Sequence, residues 1–303
     1  MEMERNQHIS PSSLPSEKKI SAITFQGTET DVPIVDLGNP DEELVASAVV
    51  KASQEWGIFQ VVNHVIPREL IRRLKEVGKE FFELPETEKE VVARAADFMD
   101  IEGYVTDYNK DGQGRKTWAD HLFHRIWPPS RINYRFWPTN SPDYREVNEE
   151  YAREIKKLSE KILGWLSEGL GLRREALKEG LGGEKVEYLM KSLLYGAPHH
   201  TDVNGVTFLI ANEVYGIDDS GIVVIIADQI KRMNNGRYKS MEHKATMDTD
   251  RTRISWPVFV EANPDQVIRP LPELITGDGN APKFRPHVYR DYKILKTNKL
   301  PYD

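Results

Sequence analysis

The sequence predicts an α+β fold in which helices in the first half support a jelly-roll-like double sheet (a double-stranded β-helix) in the second. Three observations predict it. A long apolar stripe with helical spacing runs from about Asp143 to Leu170. After Tyr188 that spacing gives way to short β-branched runs. Gly, Asn and Asp turns such as Asn234-Asn235-Gly236 separate those runs.

Residues 1–30 are polar and rich in Ser, Pro, Lys and Glu, and read as a disordered tail. Val32 to Leu37 reads as a short strand. Asp41-Glu42-Glu43 then opens a helix whose apolar positions are Leu44, Val45, Val49, Ala52 and Trp56. Ile58 to Val62 is a buried strand, and Pro67 opens a second helix that stops before Pro85. The stretch 92–118 carries Asp97, Asp100, Asp107, Lys110, Asp111, Gly112 and Gly114, and reads as a loop or lid. In the long helix Tyr144, Val147, Tyr151, Ile155, Leu158, Ile162, Trp165 and Leu166 form one stripe. The later strands are expected at 206–210, 221–226 and 254–260. The organisation is then a tail (1–30), an N-terminal helix and strand region (31–130), a support-helix region (131–183) and a jelly-roll region with a C-terminal extension (184–303).

Composition narrows the function. The chain has 303 residues, 39% hydrophobic and 29% charged, with a mean hydropathy of -0.56. No apolar run approaches the ~20 residues of a membrane helix, and the polar N-terminus argues against a secretory signal. There is no cysteine, which excludes disulfides, thiolate metal sites and cysteine nucleophiles. A cytoplasmic, monomeric protein is the simplest expectation. A net charge of -7 argues against nucleic acid as a partner. Lys18-Lys19 and Arg72-Arg73 read as solvated surface.

The informative cluster is His199-His200-Thr201-Asp202. In a strand, residues two apart share a face, so His200 and Asp202 can chelate one ion while His199 points away. His243 is the best third ligand. Two imidazoles and a carboxylate leave about half of an octahedron open, which suits Fe(II) binding a co-substrate and O₂. Zinc would more often come with a HExxH helix or cysteines, and neither is present. Alone, H-x-D is a weak signal, for which an exposed polar turn is the ordinary explanation. Arg253 and Ser255 strengthen it. They are again two apart, and a guanidinium with a hydroxyl can grip a dicarboxylic co-substrate.

With these residues in place, the chain resembles the plant Fe(II)/2-oxoglutarate-dependent dioxygenases, and within them the flavonol synthase group. The resemblance rests on Trp56 to His64, Phe81 to Pro85, His121 to Pro129, Asn212-Glu213-Val214, Gly236 to Ser240, Arg253 to Phe259 and Leu274 to Asp278. It implies Fe(II), 2-oxoglutarate and O₂ as cofactors, with ascorbate as reductant. It implies oxidation of a dihydroflavonol to a flavonol, coupled to conversion of 2-oxoglutarate to succinate and CO₂. Carried over by position, His200, Asp202 and His243 match the iron ligands. Arg253 and Ser255 match the co-substrate clamp, with Arg253 in the catalytic set. His121, Phe123, Lys191, Phe259 and Glu261 match the flavonoid pocket. Aromatic rings would stack on a flat polyphenol while polar groups fix its hydroxyls.

The chain departs from the family pattern in three places. A segment with a co-substrate tyrosine is missing between Leu194 and His199, where Tyr195 is the nearest tyrosine. A strand pair is missing between Asn212 and Gly221. Val65 stands where the family carries a turn glycine. The jelly roll is therefore expected to be incomplete. Readings other than an active flavonol synthase-like oxygenase stay open: a silent relative that only binds flavonoid, iron or a partner protein, or an oxygenase acting on a flavanone or leucoanthocyanidin.

Overall fold

A computed structural model describes residues 23–25, 32–94, 101–110, 116–194, 197–211, 220–245, 254–275 and 280–301. The first strand, β1, is Ile23–Phe25, and β2 is Ile34–Asp36. Helix α1, Glu42–Glu55, starts where sequence acidity placed it. The Asp41 carboxylate caps it by accepting from the backbone N–H of Glu43 and Leu44, both at 3.1 Å. Strand β3 is Ile58–Val62. The link between α1 and β3 needs Gly57. Its φ is 75°, and a Cβ there would lie 2.5 Å from the Lys239 carbonyl oxygen. Helix α2, Arg68–Glu83, buries Leu70, Ile71, Leu74, Val77, Phe81 and Phe82 on one face.

Strands β4, Gly103–Lys110, and β5, Lys116–Trp127, follow. They pair antiparallel, so within the loop or lid expected over 92–118 residues 103–110 and 116–118 are corrected to strand at the sheet edge. Asp97, Asp100, Asp111, Gly112 and Gly114 lie outside the described residues. Helix α3, Tyr144–Glu168, is the long support helix, and all eight positions of its predicted stripe are buried. The remaining strands are β6, Glu187–Leu194, β7, Ala197–His200, β8, Val206–Ala211, and β9, Ile222–Ile226. A six-residue helix, α4, Asp228–Met233, precedes β10, His243–Ala245, and β11, Ile254–Glu261. The C-terminal extension ends in α5, Tyr289–Thr297.

Eight strands form one sheet in the order β2-β3-β9-β8-β11-β6-β5-β4. A second sheet has three strands in the order β1-β10-β7. Among the described residues the two sheets are thus unequal in size. Strands β8 and β9 pair antiparallel within the large sheet. The expectation of a disordered tail over 1–30 is corrected at one place. Ile23–Phe25 is a strand on the outer edge of the small sheet, where Phe25 is the register partner of His243.

Alternation along the strands gives the large sheet two faces. On one face Phe59, Val61, Met190, Phe208, Val224, Trp256, Val258 and Val260 join the core with the stripes of α1, α2 and α3. Contact there is close: a Cβ on Gly78 of α2 would lie 2.2 Å from Trp256 Nε1. The opposite face carries a smaller cluster of Ile58, Val223 and Ile225, with Trp56 and Leu209 against it. Register places His121, Phe123, Lys191, Leu189, Thr207, Ser255 and Phe259 on that same face. Two separate faces of one sheet therefore do two jobs, support and site.

The turn after β3 resolves the Val65 departure. Positive φ falls on Asn63, at 50°, and not on Val65, which is exposed. Asparagine tolerates that conformation better than most residues, and Asn63 Nδ2 is held by Asp36 Oδ1 at 2.8 Å. Asp36 is correspondingly held below the usual carboxylate range by Asn63 and the Gly38 N–H.

Candidate metal centre

Strand pairing builds the site. His200 ends β7, His243 begins β10, and the two are register partners in the antiparallel pair. Their ring centroids lie 4.5 Å apart. Asp202 follows two residues after His200, just beyond the strand end, and its side chain is buried. Its Oδ1 sits 3.2 Å from His200 Nε2 and 3.9 Å from His243 Nε2. All three ligand atoms lie within 4.8 Å of one another. Metal–ligand bonds of about 2.1 Å put neighbouring octahedral ligands about 3 Å apart, so this set fits a divalent ion with little adjustment. His199, expected to point away from the ligand face, is exposed.

Supporting contacts orient the donors. His243 Nδ1 is 3.1 Å from the Met241 carbonyl oxygen. That contact places the proton on Nδ1 and leaves the Nε2 lone pair aimed at the site. Thr207 Oγ1 donates to Asp202 Oδ2 at 2.6 Å, which leaves Oδ1 facing the imidazoles. Asn204, fully buried, donates in turn to Thr207 Oγ1. Burial alone would raise the Asp202 carboxyl. The His200 hydrogen bond, the imidazole charges and Thr207 outweigh it and hold the group well below the carboxylate range. Burial lowers His243 despite the pull of Asp202, so at neutral pH it offers a lone pair.

Aromatic and charged side chains gather on the face of the large sheet that carries Thr207 and Ser255. Phe123 and Phe259 stack at 6.3 Å between centroids, with 25° between planes. Lys191 Nζ stands 5.1 Å from the Phe123 centroid. Burial pushes Lys191 down to about 8, against the pull of Asp107 and Asp202. His121 is buried, with Nε2 3.1 Å from Asp107 Oδ2. Burial and the charges of Lys191 and Arg94 push His121 down to about 3, so the Asp107 contact is a hydrogen bond from a neutral imidazole and not an ion pair. Ser255 is buried on β11 in register with Leu193. Arg253 lies outside the described residues, as does Tyr195. Glu261 ends β11 and is committed to α5, accepting from Tyr289 Oη and, at 2.8 Å, from Lys293 Nζ. Among the described residues no helix is long and apolar enough to cross a membrane.

Comparison with known proteins agrees with the fold and with iron as the metal. Residues 188–262 match the 2OG-Fe(II) oxygenase superfamily, and residues 32–140 match the N-terminal region described as non-haem dioxygenase in morphine synthesis. The chain belongs to the 2OG-Fe(II) oxygenase superfamily, and it is an Fe(II)- and 2-oxoglutarate-dependent dioxygenase. Within it, the chain is similar to Flavonol synthase 3 of Arabidopsis thaliana, at 63% identity over 326 residues covering 100% of both chains. It is 56% identical to the Flavonol synthase/flavanone 3-hydroxylase of Arabidopsis thaliana, again covering 100% of both. The first of these alignments runs over 326 positions against 303 residues, so that relative has positions with no counterpart here. Among solved structures, JOX2 in complex with 2OG, Fe and JA superposes with a TM-score of 0.78 at 30% identity, covering 88% of this chain and 85% of that one. The dioxygenase for auxin oxidation in rice shares the fold, with a TM-score of 0.70 at 20% identity, covering 89% of this chain and 96% of that one.

Sequence reasoning missed the groups that steady the ligands. Thr207 gives only a weak signal, a hydroxyl on the ligand-facing side of a strand.

Proposed function

We propose that the chain is a flavonol synthase-like enzyme that oxidises a dihydroflavonol to a flavonol. In this reading His200, Asp202 and His243 hold Fe(II), and Arg253 with Ser255 anchors the distal carboxylate of 2-oxoglutarate. The balance is dihydroflavonol, 2-oxoglutarate and O₂ in, flavonol, succinate, CO₂ and water out. The observation that carries it is the His-Asp-His cluster, together with the aromatic and lysine side chains on the face of the large sheet that carries Thr207 and Ser255.

When bound, iron with 2-oxoglutarate and O₂ supplies the oxidising power that removes hydrogen from the substrate. The chain's own residues do the rest. The stacked Phe123 and Phe259 offer flat apolar surface to the flavonoid rings. Lys191 is charged at neutral pH and can donate to a flavonoid oxygen. His121, held neutral by burial, can hydrogen-bond a substrate hydroxyl without adding charge. Asp202 stays ionised, and His243 keeps its lone pair free.

The test is an assay of full-length protein with Fe(II), 2-oxoglutarate, ascorbate and a dihydroflavonol, reading succinate and flavonol together. Stoichiometric appearance of both supports the reading. A folded protein that gives neither rejects it in favour of a binding-only relative. Succinate tied to turnover of a flavanone or leucoanthocyanidin, with the dihydroflavonol untouched, moves the substrate but keeps the site.

A further inference from the structure

One buried carboxylate outside the ligand set ties together every segment that carries the ligands. Asp228 opens α4 and is 7% exposed. Its backbone N–H donates to the Asp202 carbonyl oxygen at 3.0 Å. Thr201, between the first two ligands, donates its hydroxyl to Oδ2 at 3.4 Å. Ser240, three residues before His243, donates to Oδ1 at 2.8 Å. Tyr292 Oη donates to Oδ2 at 2.8 Å, and Lys296 Nζ donates to the same oxygen and to the Thr201 hydroxyl. Tyr289, Tyr292, Lys293 and Lys296 recur at three- and four-residue steps and so share one face of α5. That face grips two carboxylates, Glu261 at the end of β11 and Asp228 at the start of α4.

We propose that Asp228 is a positioning residue that locks the 200–202 segment and the 240–243 segment in register for iron, with Lys296 of α5 as its counter-charge. The proposal rests on the iron assignment above. Its physical basis is geometric. His200 and Asp202 come from one segment and His243 from another, and the small sheet joins them through only two register pairs. A three-residue strand fixes little by itself. Both Asp228 oxygens are engaged, one from each segment, so sliding either segment breaks a hydrogen bond inside a buried site. Lys296 removes the penalty of burying the carboxylate alone, and through it the C-terminal helix becomes part of the iron site's support.

A structural ion pair would stabilise the fold and leave metal affinity alone, so the two must be measured separately. We would titrate the full-length apo protein with Fe(II) anaerobically, without 2-oxoglutarate, and record apo thermal unfolding of each variant. The double variant Asp228→Asn/Lys296→Met removes both buried charges together. It is expected to bind Fe(II) about 10–100-fold more weakly than wild type, the usual effect of losing a group that orients a ligand. Ser240→Ala removes only the tie to the His243 segment. It is expected to weaken Fe(II) several-fold while unfolding at the wild-type temperature, and it decides the matter if the double variant does not fold. Wild-type affinity in the deciding variant overturns the proposal. His243→Ala run in parallel separates the two readings. If wild type binds and His243→Ala does not, the iron site stands, and any failure belongs to Asp228 alone. If wild type does not bind, or His243→Ala binds equally well, both readings fall.

Discussion

Lys191 is expected to be a residue that function keeps at the expense of stability. Burial lowers it from 10.5 to about 8, so the folded state pays to keep it charged at pH 7. A shift of that size corresponds to about 3 kcal/mol for a fully sealed group. Lys191 keeps some exposure, so ~2 kcal/mol is a fair expectation. Lys191→Met keeps the length and packing of the side chain and removes the charge. It should therefore raise the unfolding free energy by ~2 kcal/mol at pH 7. The sign can be checked against pH. The unfolded chain holds the proton up to about 10.5 and the folded chain only to about 8, so wild-type stability from this group rises between those values. The advantage of Lys191→Met should shrink by roughly 2 kcal/mol at most from pH 7 to pH 9.5. Urea unfolding of both proteins at the two pH values measures it. The same variant should raise KM for the dihydroflavonol. Equal stability at pH 7, or an advantage that does not shrink with pH, would refute the reasoning.

Three further outcomes are expected. His243→Ala should weaken Fe(II) by more than the ~10–100-fold typical of losing a supporting contact, measured by titration; a smaller loss counts against it as a ligand. Gly57→Ala should cost ~2–4 kcal/mol in chemical denaturation, because it combines a left-handed φ with a backbone clash at Lys239. A loss below ~1 kcal/mol would show that the close approach is not required. Deleting residues 1–26 should lower stability by ~1–3 kcal/mol by stripping β1 from the β10 edge, and an unchanged thermal midpoint would remove β1 from the fold.

Elements with strong local periodicity were legible. The stripe of α3 and the β-branched runs of β3, β8, β9 and β11 depend on burial of one face or both, and burial writes itself into the sequence. The ligands were legible because His200 and Asp202 follow a two-residue period and His243 lies just past a turn. The β4–β5 pair was not, since Gly103-Tyr-Val-Thr-Asp-Tyr-Asn-Lys110 is polar at several positions and owes its strand state to pairing with β5. Strand β1 was read as tail because three residues carry no period, and its partner is more than two hundred positions away. Asp228 was missed for the same reason: its partners at Thr201, Ser240, Tyr292 and Lys296 are scattered along the chain. Nothing local marks a residue whose role is to join distant segments.

The sequence reading places the shortening of this chain beside the ligands and not in them. Strand β6 in the large sheet ends at Leu194 and β7 in the small one begins at Ala197, and the tyrosine that the family resemblance places against the co-substrate is expected to be absent there. Strands β7 and β10, which carry the imidazoles, are both present and paired. Iron affinity and 2-oxoglutarate affinity should therefore part company. The ligand triad keeps its donors and its Thr207 support, so Fe(II) binding should match that of a relative that keeps those segments. The co-substrate loses one hydrogen bond to a charged carboxylate, worth ~1.5–3 kcal/mol, and its KM should be at least about tenfold higher than in a relative that keeps the tyrosine. Side-by-side titration with Fe(II) and initial rates against 2-oxoglutarate would decide it. Equal KM values would mean that another group of this chain has taken over the contact, and weakened iron binding would mean that the missing segments supported the triad after all.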